Sequence, residues 1–321
     1  MQTGFIGLGN VGGKLAGSLL RNGVPLRVHD LDARLVAAFV ARGAQDGGAP
    51  GAMMRDCDVV ITCLPSPEAS AAVMAEMLPR MGPGKLWMEM STTDADEILR
   101  LGAEVAATGG MAVECPVSGG CHRAGTGNIS IFAGGPRPAV EAAMPLLKHL
   151  GRRILHTGDL GTASKLKVMT NYLATVHLAA LCEAMTVMKA QGLDLATTYE
   201  AIRISSGTSF VHETESQLIL SGARDVNFTM DLIMKDIGLF QKLAEARGVP
   251  LEISPLLIEI MADGQRRCGE RAQSDRIIER LEEATGLQIR AEGFPEELVD
   301  DEPEAEGYEV SRTARPAAVA E

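Results

Sequence analysis

Short apolar runs alternate with helix-period stretches along the first 160 residues. The runs are "TGFIGL", "PLRVHD", "DVVITCL", "KLWMEM", "MAVEC", "ISIFAG" and "RILHT". Each is rich in bulky or β-branched residues and is bounded by glycine, proline or a charged residue, which marks a strand. Helical spacing fills the gaps at Val11–Arg21, Glu68–Leu78, Ala95–Ala107 and Ala139–His149. Strands alternating with helices predict βαβ units, a mostly parallel sheet and right-handed connections. After about Leu160 the strand signals stop. Ser164–Gln191 reads as one long apolar-rich helix with no proline or glycine before Gly192. Further helix patterns follow at Leu195–Ile204, Asp231–Arg247, Pro255–Cys268 and Ser274–Ala284.

The predicted fold is therefore α/β: a doubly wound N-terminal sheet domain, then an all-α C-terminal domain, joined by a long helix. The expected boundaries are 1–161 for a dinucleotide-binding domain and 162–290 for a helical substrate and oligomerisation domain. Residues 291–321 form an acidic tail with ten acids against two arginines and no apolar periodicity. That composition predicts disorder.

Composition narrows the function classes. The 321 residues are 46% apolar, enough for a full core, and carry a net charge of −12. The charge disfavours nucleic acid and anionic membranes as partners. No run of about 20 uncharged apolar residues predicts a membrane span, and the N-terminus carries no signal-peptide pattern. The six cysteines form no CxxC pair, which argues against zinc and disulfides and for a reducing, cytoplasmic setting.

The opening strand runs into Gly7-x-Gly9-x-x-Gly12 and a helix. A glycine triple alone is common; between a strand and a helix it is the dinucleotide-binding fingerprint of a Rossmann-type domain. Gly7 permits the tight turn, Gly9 lets the backbone approach a pyrophosphate, and Gly12 lets helix and strand pack. The helix N-terminus, with Asn10 and Val11, offers unpaired N–H groups to the phosphates. Asp30 ends the second strand, 23 residues after Gly7. An acid there binds the ribose hydroxyls and repels a 2′-phosphate, so NAD is favoured over NADP.

Other strand ends add candidates. Leu64 and Pro65, in "CLPSPEA", lie where a cofactor would pass. Ser91, Thr92 and Thr93 follow the "KLWMEM" strand, as N-caps of the next helix or as cofactor contacts. In "ECPVSGG", Ser118, Gly119 and Gly120 combine a hydroxyl with exposed backbone N–H groups, which fits either a cradle for a small carboxylate or a flexible turn. Lys167 and Asn171 stand four residues apart on the long helix and share a face, whereas Lys165 points elsewhere. A lysine facing an apolar cleft is a proton donor or acceptor; on a helix it is more often a solvated surface group.

Four segments in order resemble the 3-hydroxyacid dehydrogenase family: "GFIGLGNVG", "ECPVSGG", "GTASKLKVMTN" and "NFTMDLIMKDIGL". The resemblance covers about residues 2–290. It implies that Ser118, Gly119 and Gly120 bind a substrate carboxylate, that Lys167 is the acid/base, and that Asn171 positions the substrate. It implies cofactor contacts at Thr92 and Lys235, and a homodimer or homotetramer. The implied reaction is NAD-dependent interconversion of a short 3-hydroxy acid and its semialdehyde. A reductase of tartronate or succinic semialdehyde and a non-catalytic NAD-binding scaffold are the alternatives. A 6-phosphogluconate-type enzyme would need a basic cluster for a phosphate, and an imine reductase usually lacks the lysine. Glu114 and Cys115 depart from the family's Asp-Ala, and Thr170 from its first Asn; Cys115 would be oxidation-sensitive if exposed. His122 and His212 are candidates to meet a polar substrate arm, with an ordinary core or surface histidine as the alternative.

Overall fold

A computed structural model describes residues 1–311. The strands are β1 (Thr3–Ile6), β2 (Leu26–His29), β3 (Gln45–Asp46), β4 (Val59–Thr62), β5 (Leu86–Glu89), β6 (Met111–Glu114), β7 (Val117–Ser118), β8 (Ser130–Gly134), β9 (Arg153–Gly158) and β10 (Tyr308–Glu309). The helices between them are α1 (Asn10–Arg21), α2 (Ala33–Val40), α3 (Pro50–Asp56), α4 (Pro67–Met77), α5 (Ala95–Ala107), α6 (Gly120–Thr126) and α7 (Arg137–Leu150). The long helix α8 spans Thr162–Ala190. It is followed by α9 (Leu195–Arg203), α10 (Phe210–Ser221), α11 (Met230–Glu245), α12 (Ile253–Cys268) and α13 (Glu279–Thr285).

The strand order is β10-β9-β8-β6-β5-β4-β1-β2-β3, with β7 on β8. From β3 to β6 every neighbour is parallel, and β8 reverses the direction. Strands β1, β4 and β5 are buried along their whole length, as expected of a parallel sheet covered on both faces. Their side chains alternate between two cores. Phe5, Ile61 and Met88 pack on one face with Leu15 of α1, Val36 of α2 and Leu147 of α7. Ile6, Val60 and Trp87 pack on the other with Met53, Met74 and Ile98 of α3, α4 and α5. Trp87 also donates from Nε1 to Thr62 Oγ1 at 2.9 Å, so its one polar atom is satisfied inside the core.

The chain divides into two compact units, Met1–Lys167 with the segment from Asp300 onward, and Val168–Val299. Both differ from the expected boundaries. The first turns of α8 belong to the sheet unit because Glu114 holds them there. Residues 286–299 belong to the helical unit: Ile289 is fully buried, Phe294 meets Tyr199 edge-on at 5.0 Å, and Ala291 N–H donates to Leu220 carbonyl at 3.0 Å.

The expected disorder of 291–321 fails for residues 291–311; residues 312–321 lie outside the described residues. The reason is a set of ion pairs with the sheet unit: Asp300, Glu302, Glu304 and Glu306 each meet a base, Asp300 with Arg123 at 4.0 Å. Glu304 binds Arg21 at 2.8 Å, Glu302 binds Arg153 at 3.1 Å, and Glu306 binds Lys148 at 2.8 Å. Strand β10 then adds to β9 in parallel, with Tyr308 N–H on Arg152 carbonyl at 3.0 Å.

The second unit packs α9–α13 and most of α8 around Leu178, Met185, Tyr199, Ile219, Ile237, Leu257 and Ile278. By length and composition α8 also passes as a membrane-crossing helix, and one-third of its most apolar window is buried. Leu173 and Val187 are exposed on it, as is Glu183.

Two acids stand out in this unit. Asp275 is fully buried and neither of its oxygens has a hydrogen-bond partner among the described residues; Glu215 is half-buried, but its Oε2 is buried and has no partner among them either. Burial, then the charge of Asp225, pushes Asp275 up to about 7. Burial, then Asp275, pushes Glu215 up to about 8. In the unfolded chain both lose their protons near pH 4. The folded chain thus holds more protons between about pH 4 and 8, so stability falls as pH rises through that window. The melting temperature is expected to drop between pH 5 and pH 8, and Asp275→Asn should flatten the drop. A melting temperature that rises over this range, or a variant with the wild-type slope, would contradict the assignment.

Candidate active site

The carboxyl ends of β1, β2, β4, β5 and β6 share one edge of the sheet, where the strand order reverses between β1 and β4. Gly7 has φ +95°, and a Cβ there would sit 2.2 Å from Cys63 carbonyl oxygen. A Cβ on Gly12 would sit 2.1 Å from Gly7 carbonyl oxygen. Neither position admits a side chain. At Gly9 a Cβ would meet nothing within 4 Å. Gly9 is the N-cap of α1, no side chain caps the helix, and its first turn holds no acid. The N–H groups at Asn10 and Val11 therefore face an open, positively polarised spot of the kind a pyrophosphate fills.

Asp30 leaves β2 toward the same spot. Leu8 N–H donates to its Oδ2 at 2.6 Å and Asp32 N–H to its Oδ1 at 2.8 Å. The carboxylate braces the glycine loop and keeps further lone pairs for ribose hydroxyls. Next to it Leu31 is 99% exposed, a bulky apolar side chain in solvent that the sequence pattern did not reveal.

Leu64 is half-buried and Pro65 exposed. Leu64 N–H donates to Ser91 Oγ at 2.7 Å, and Ser91 Oγ donates to Glu89 Oε1. Ser91 thus ties the loop after β4 to the loop after β5. The cap of α5 is not one of the three hydroxyls but Asp94, which accepts from Asp96 N–H at 2.8 Å. Thr92 is half-buried beside Ser91.

Glu114 ends β6, immediately before the "PVSGG" loop. Its carboxylate accepts from Ala163 N–H at 2.9 Å, from Ser164 N–H at 3.0 Å and from Ser164 Oγ. It is the N-terminal cap of α8, supplied from a distant strand. Burial pushes its pKa up against these bonds. Gly134 opposes it in the sheet, and a Cβ there would come within 2.4 Å of Glu114 Oε1. One residue thus joins the loop of Ser118, Gly119 and Gly120 to the helix turn of Lys167. Lys167 is 7% exposed, whereas Lys165 is exposed. Gly119 and Gly120 have φ +133° and +84°, a backbone that only glycine adopts readily.

In the helical unit Asn171 Nδ2 donates to Asp236 Oδ2 at 2.5 Å, and Lys235 Nζ lies 3.3 Å from Asp236 Oδ1. Asp236, 2% exposed, orients both. The sequence pointed to Lys235 and left Asp236 without a role. Cys115 is fully buried and burial pushes its thiol up, so the condition for oxidation is not met. His212 is a core histidine, its Nε2 3.0 Å from Tyr199 carbonyl and its ring against the Tyr199 ring. His122 is half-buried on α6, directly beside Gly120.

Two family models match the chain: the NAD binding domain of 6-phosphogluconate dehydrogenase over residues 2–158, and the NAD-binding domain of NADP-dependent 3-hydroxyisobutyrate dehydrogenase over residues 161–281. The chain is 32% identical to 2-(hydroxymethyl)glutarate dehydrogenase of Eubacterium barkeri, over 90% of this chain and 97% of the relative. It is 32% identical to the NAD-dependent L-serine dehydrogenase of Pseudomonas aeruginosa, over 81% of this chain and 90% of the relative. The chain belongs to the 3-hydroxyacid dehydrogenase family. It is a nicotinamide-dependent oxidoreductase of the CH–OH class. The fold agrees with the crystal structure of 3-hydroxyisobutyrate dehydrogenase from Salmonella typhimurium, with a TM-score of 0.80 at 24% identity over 87% of this chain and 99% of that one.

Within this 3-hydroxyacid dehydrogenase two glycine variants separate fold from cofactor binding. Gly12→Ala forces a Cβ onto a backbone oxygen, so the melting temperature should fall. Gly9→Ala should leave it unchanged and weaken cofactor binding by about tenfold or more, since the methyl enters the open spot. Unchanged cofactor affinity in Gly9→Ala would contradict the placement. Glu114→Ala leaves buried N–H groups unpaired and is expected to cost about 2–4 kcal/mol in denaturant unfolding; a cost below about 0.5 kcal/mol would contradict its capping role.

Proposed function

We propose that this dehydrogenase interconverts a short 3-hydroxy acid and its semialdehyde, with NAD as cofactor and Lys167 as the proton carrier. The observation that carries the reading is the Glu114 bridge. It holds a buried lysine and a glycine-opened carboxylate loop in fixed relation.

The substrates in the relatives' names support the class. 2-(Hydroxymethyl)glutarate and L-serine, like the 3-hydroxyisobutyrate of the mouse mitochondrial dehydrogenase (30% identical, covering 80% of each chain), all carry a hydroxyl on the carbon next to the carboxylate-bearing one. A site for that element needs an anion cradle and, a fixed step away, a proton acceptor. Ser118 Oγ with the backbone at Gly119 and Gly120 is the cradle. Lys167 Nζ would take the hydroxyl proton in oxidation and return it in reduction; a nicotinamide cofactor, when bound, would supply the hydride chemistry. Asn171, held by Asp236, positions the substrate. General acid–base help of this kind is worth roughly 100- to 10,000-fold.

NAD is favoured over NADP because Asp30 presents a carboxylate where a 2′-phosphate would lie. The relatives' names carry both cofactors, so this chain's own Asp30 supports the choice. All six cysteines are free, in keeping with a reducing compartment such as the cytoplasm. Glu183 lies exposed on α8, seven residues before its last residue, Ala190, and lipid penalises a carboxylate within a span. A second copy of the chain is therefore the better cover for Leu173 and Val187, and light scattering should return twice or four times 33.9 kDa.

Initial rates with a panel of short 3-hydroxy acids, each with NAD and NADP, test the reading. Turnover is expected on at least one, with kcat/KM for NAD about tenfold or more above NADP. A preference for NADP would overturn the Asp30 argument. Cofactor binding without turnover on any acid or semialdehyde would instead favour a non-catalytic scaffold.

A further inference from the structure

The segment Asp300–Val310 lies beyond both family models, the second of which ends at residue 281, yet it grips the helix that continues the carboxylate loop. Gly119 and Gly120 are the N-cap and first residue of α6, so loop and helix move as one piece. A seven-residue helix does not hold itself in water. Gly119 gives it no side-chain cap, and it ends at Gly127 in the left-handed region.

Its C-terminal end is held from outside. Asp300, with its side chain 4% exposed, accepts at Oδ2 from Thr126 Oγ1 and from Asn128 Nδ2 at 2.7 Å. Arg123 Nε lies 4.0 Å from Asp300 Oδ1. Asn128 Nδ2 also donates to Glu302 carbonyl at 2.5 Å, and a Cβ at Gly127 would meet Glu304 Oε1 at 3.3 Å. The segment has its own anchorage: Glu304 on Arg21, Glu306 on Lys148, Glu309 on Arg137, and β10 on β9.

We propose that Asp300 is a positioning residue, delivered by this strap, that sets the geometry of the Ser118–Gly120 carboxylate cradle through α6. It rests on the reading that this loop binds the substrate carboxylate. The strap contributes through substrate binding and leaves the chemical step alone.

The test uses the full chain with Asp300→Ala, Asp300→Asn and, as a control on an outer ion pair of the same strap, Glu306→Gln. KM, kcat and cofactor Kd are measured beside amide hydrogen exchange of residues 118–128. Asp300→Ala is expected to raise KM about tenfold, with kcat and cofactor Kd within about threefold. It should also speed exchange across 118–128 about tenfold. Asp300→Asn keeps an oxygen for Thr126 and Asn128 and should lie between the two, and Glu306→Gln should match wild type. Unchanged KM or unchanged exchange in Asp300→Ala would overturn the proposal, as would equal losses in kcat and cofactor affinity. If the wild-type chain turns over no 3-hydroxy acid, the functional reading fails first; exchange in 118–128 then decides alone whether the strap orders the loop.

Discussion

One carboxylate ties the sheet to the start of the long helix. Glu114 stands at the last residue of β6, and its two oxygens take the first free N–H groups of α8. A 29-residue helix needs an acceptor at its N-terminus, and a strand entering a glycine-rich loop needs a fixed end. One side chain meets both demands. Gly134 is the corollary, since any side chain there would occupy the place of the Glu114 carboxylate. The family's shorter aspartate is replaced by glutamate here, and the extra methylene lies in a fully buried site.

Much of the fold was legible because its strands are buried on both faces. Continuous apolar runs such as "DVVITCL" have one interpretation when glycine and charged residues bound them and helices separate them. The glycine triple was legible for the same reason: Gly7 and Gly12 are demanded by backbone contacts that the spacing encodes. Short elements were not legible. Strand β3 has two residues and α6 has seven, too few for a period to register. The tail was misread because bulk composition carries no information about distant partners. The bases that meet the acids at 300, 302, 304 and 306 come from α6, β9, α1 and α7, which no local window contains.

The site divides along similar lines. Gly9 is a candidate from the spacing of the glycine triple, whereas Ser118, Gly119 and Gly120 fit a cradle or a flexible turn equally without the family resemblance. Asp30 is a candidate from its place after a strand, whereas Lys167 becomes one through the family resemblance, since its place on a helix fits a solvated surface lysine as well. Residues that act by holding another side chain could be named by neither route. Asp236 orients Asn171 from a helix 65 positions away, and Ser91 links two loops through one hydroxyl. His212 shows the converse: a histidine in a polar-looking stretch turns inward and serves the core through Tyr199. Long-range polar contacts are where sequence order and spatial order part, and the supporting residues of this site are nearly all of that kind.

The account's central claim is that Lys167 moves the substrate proton. Steady-state kinetics of Lys167→Ala, with cofactor affinity measured by titration on the same sample and added methylamine as a rescue agent, tests it most directly. The account predicts a loss of roughly 100- to 10,000-fold in kcat, cofactor affinity within about twofold of wild type, and partial recovery with the amine. A variant that turns over at near the wild-type rate while binding cofactor normally would contradict it.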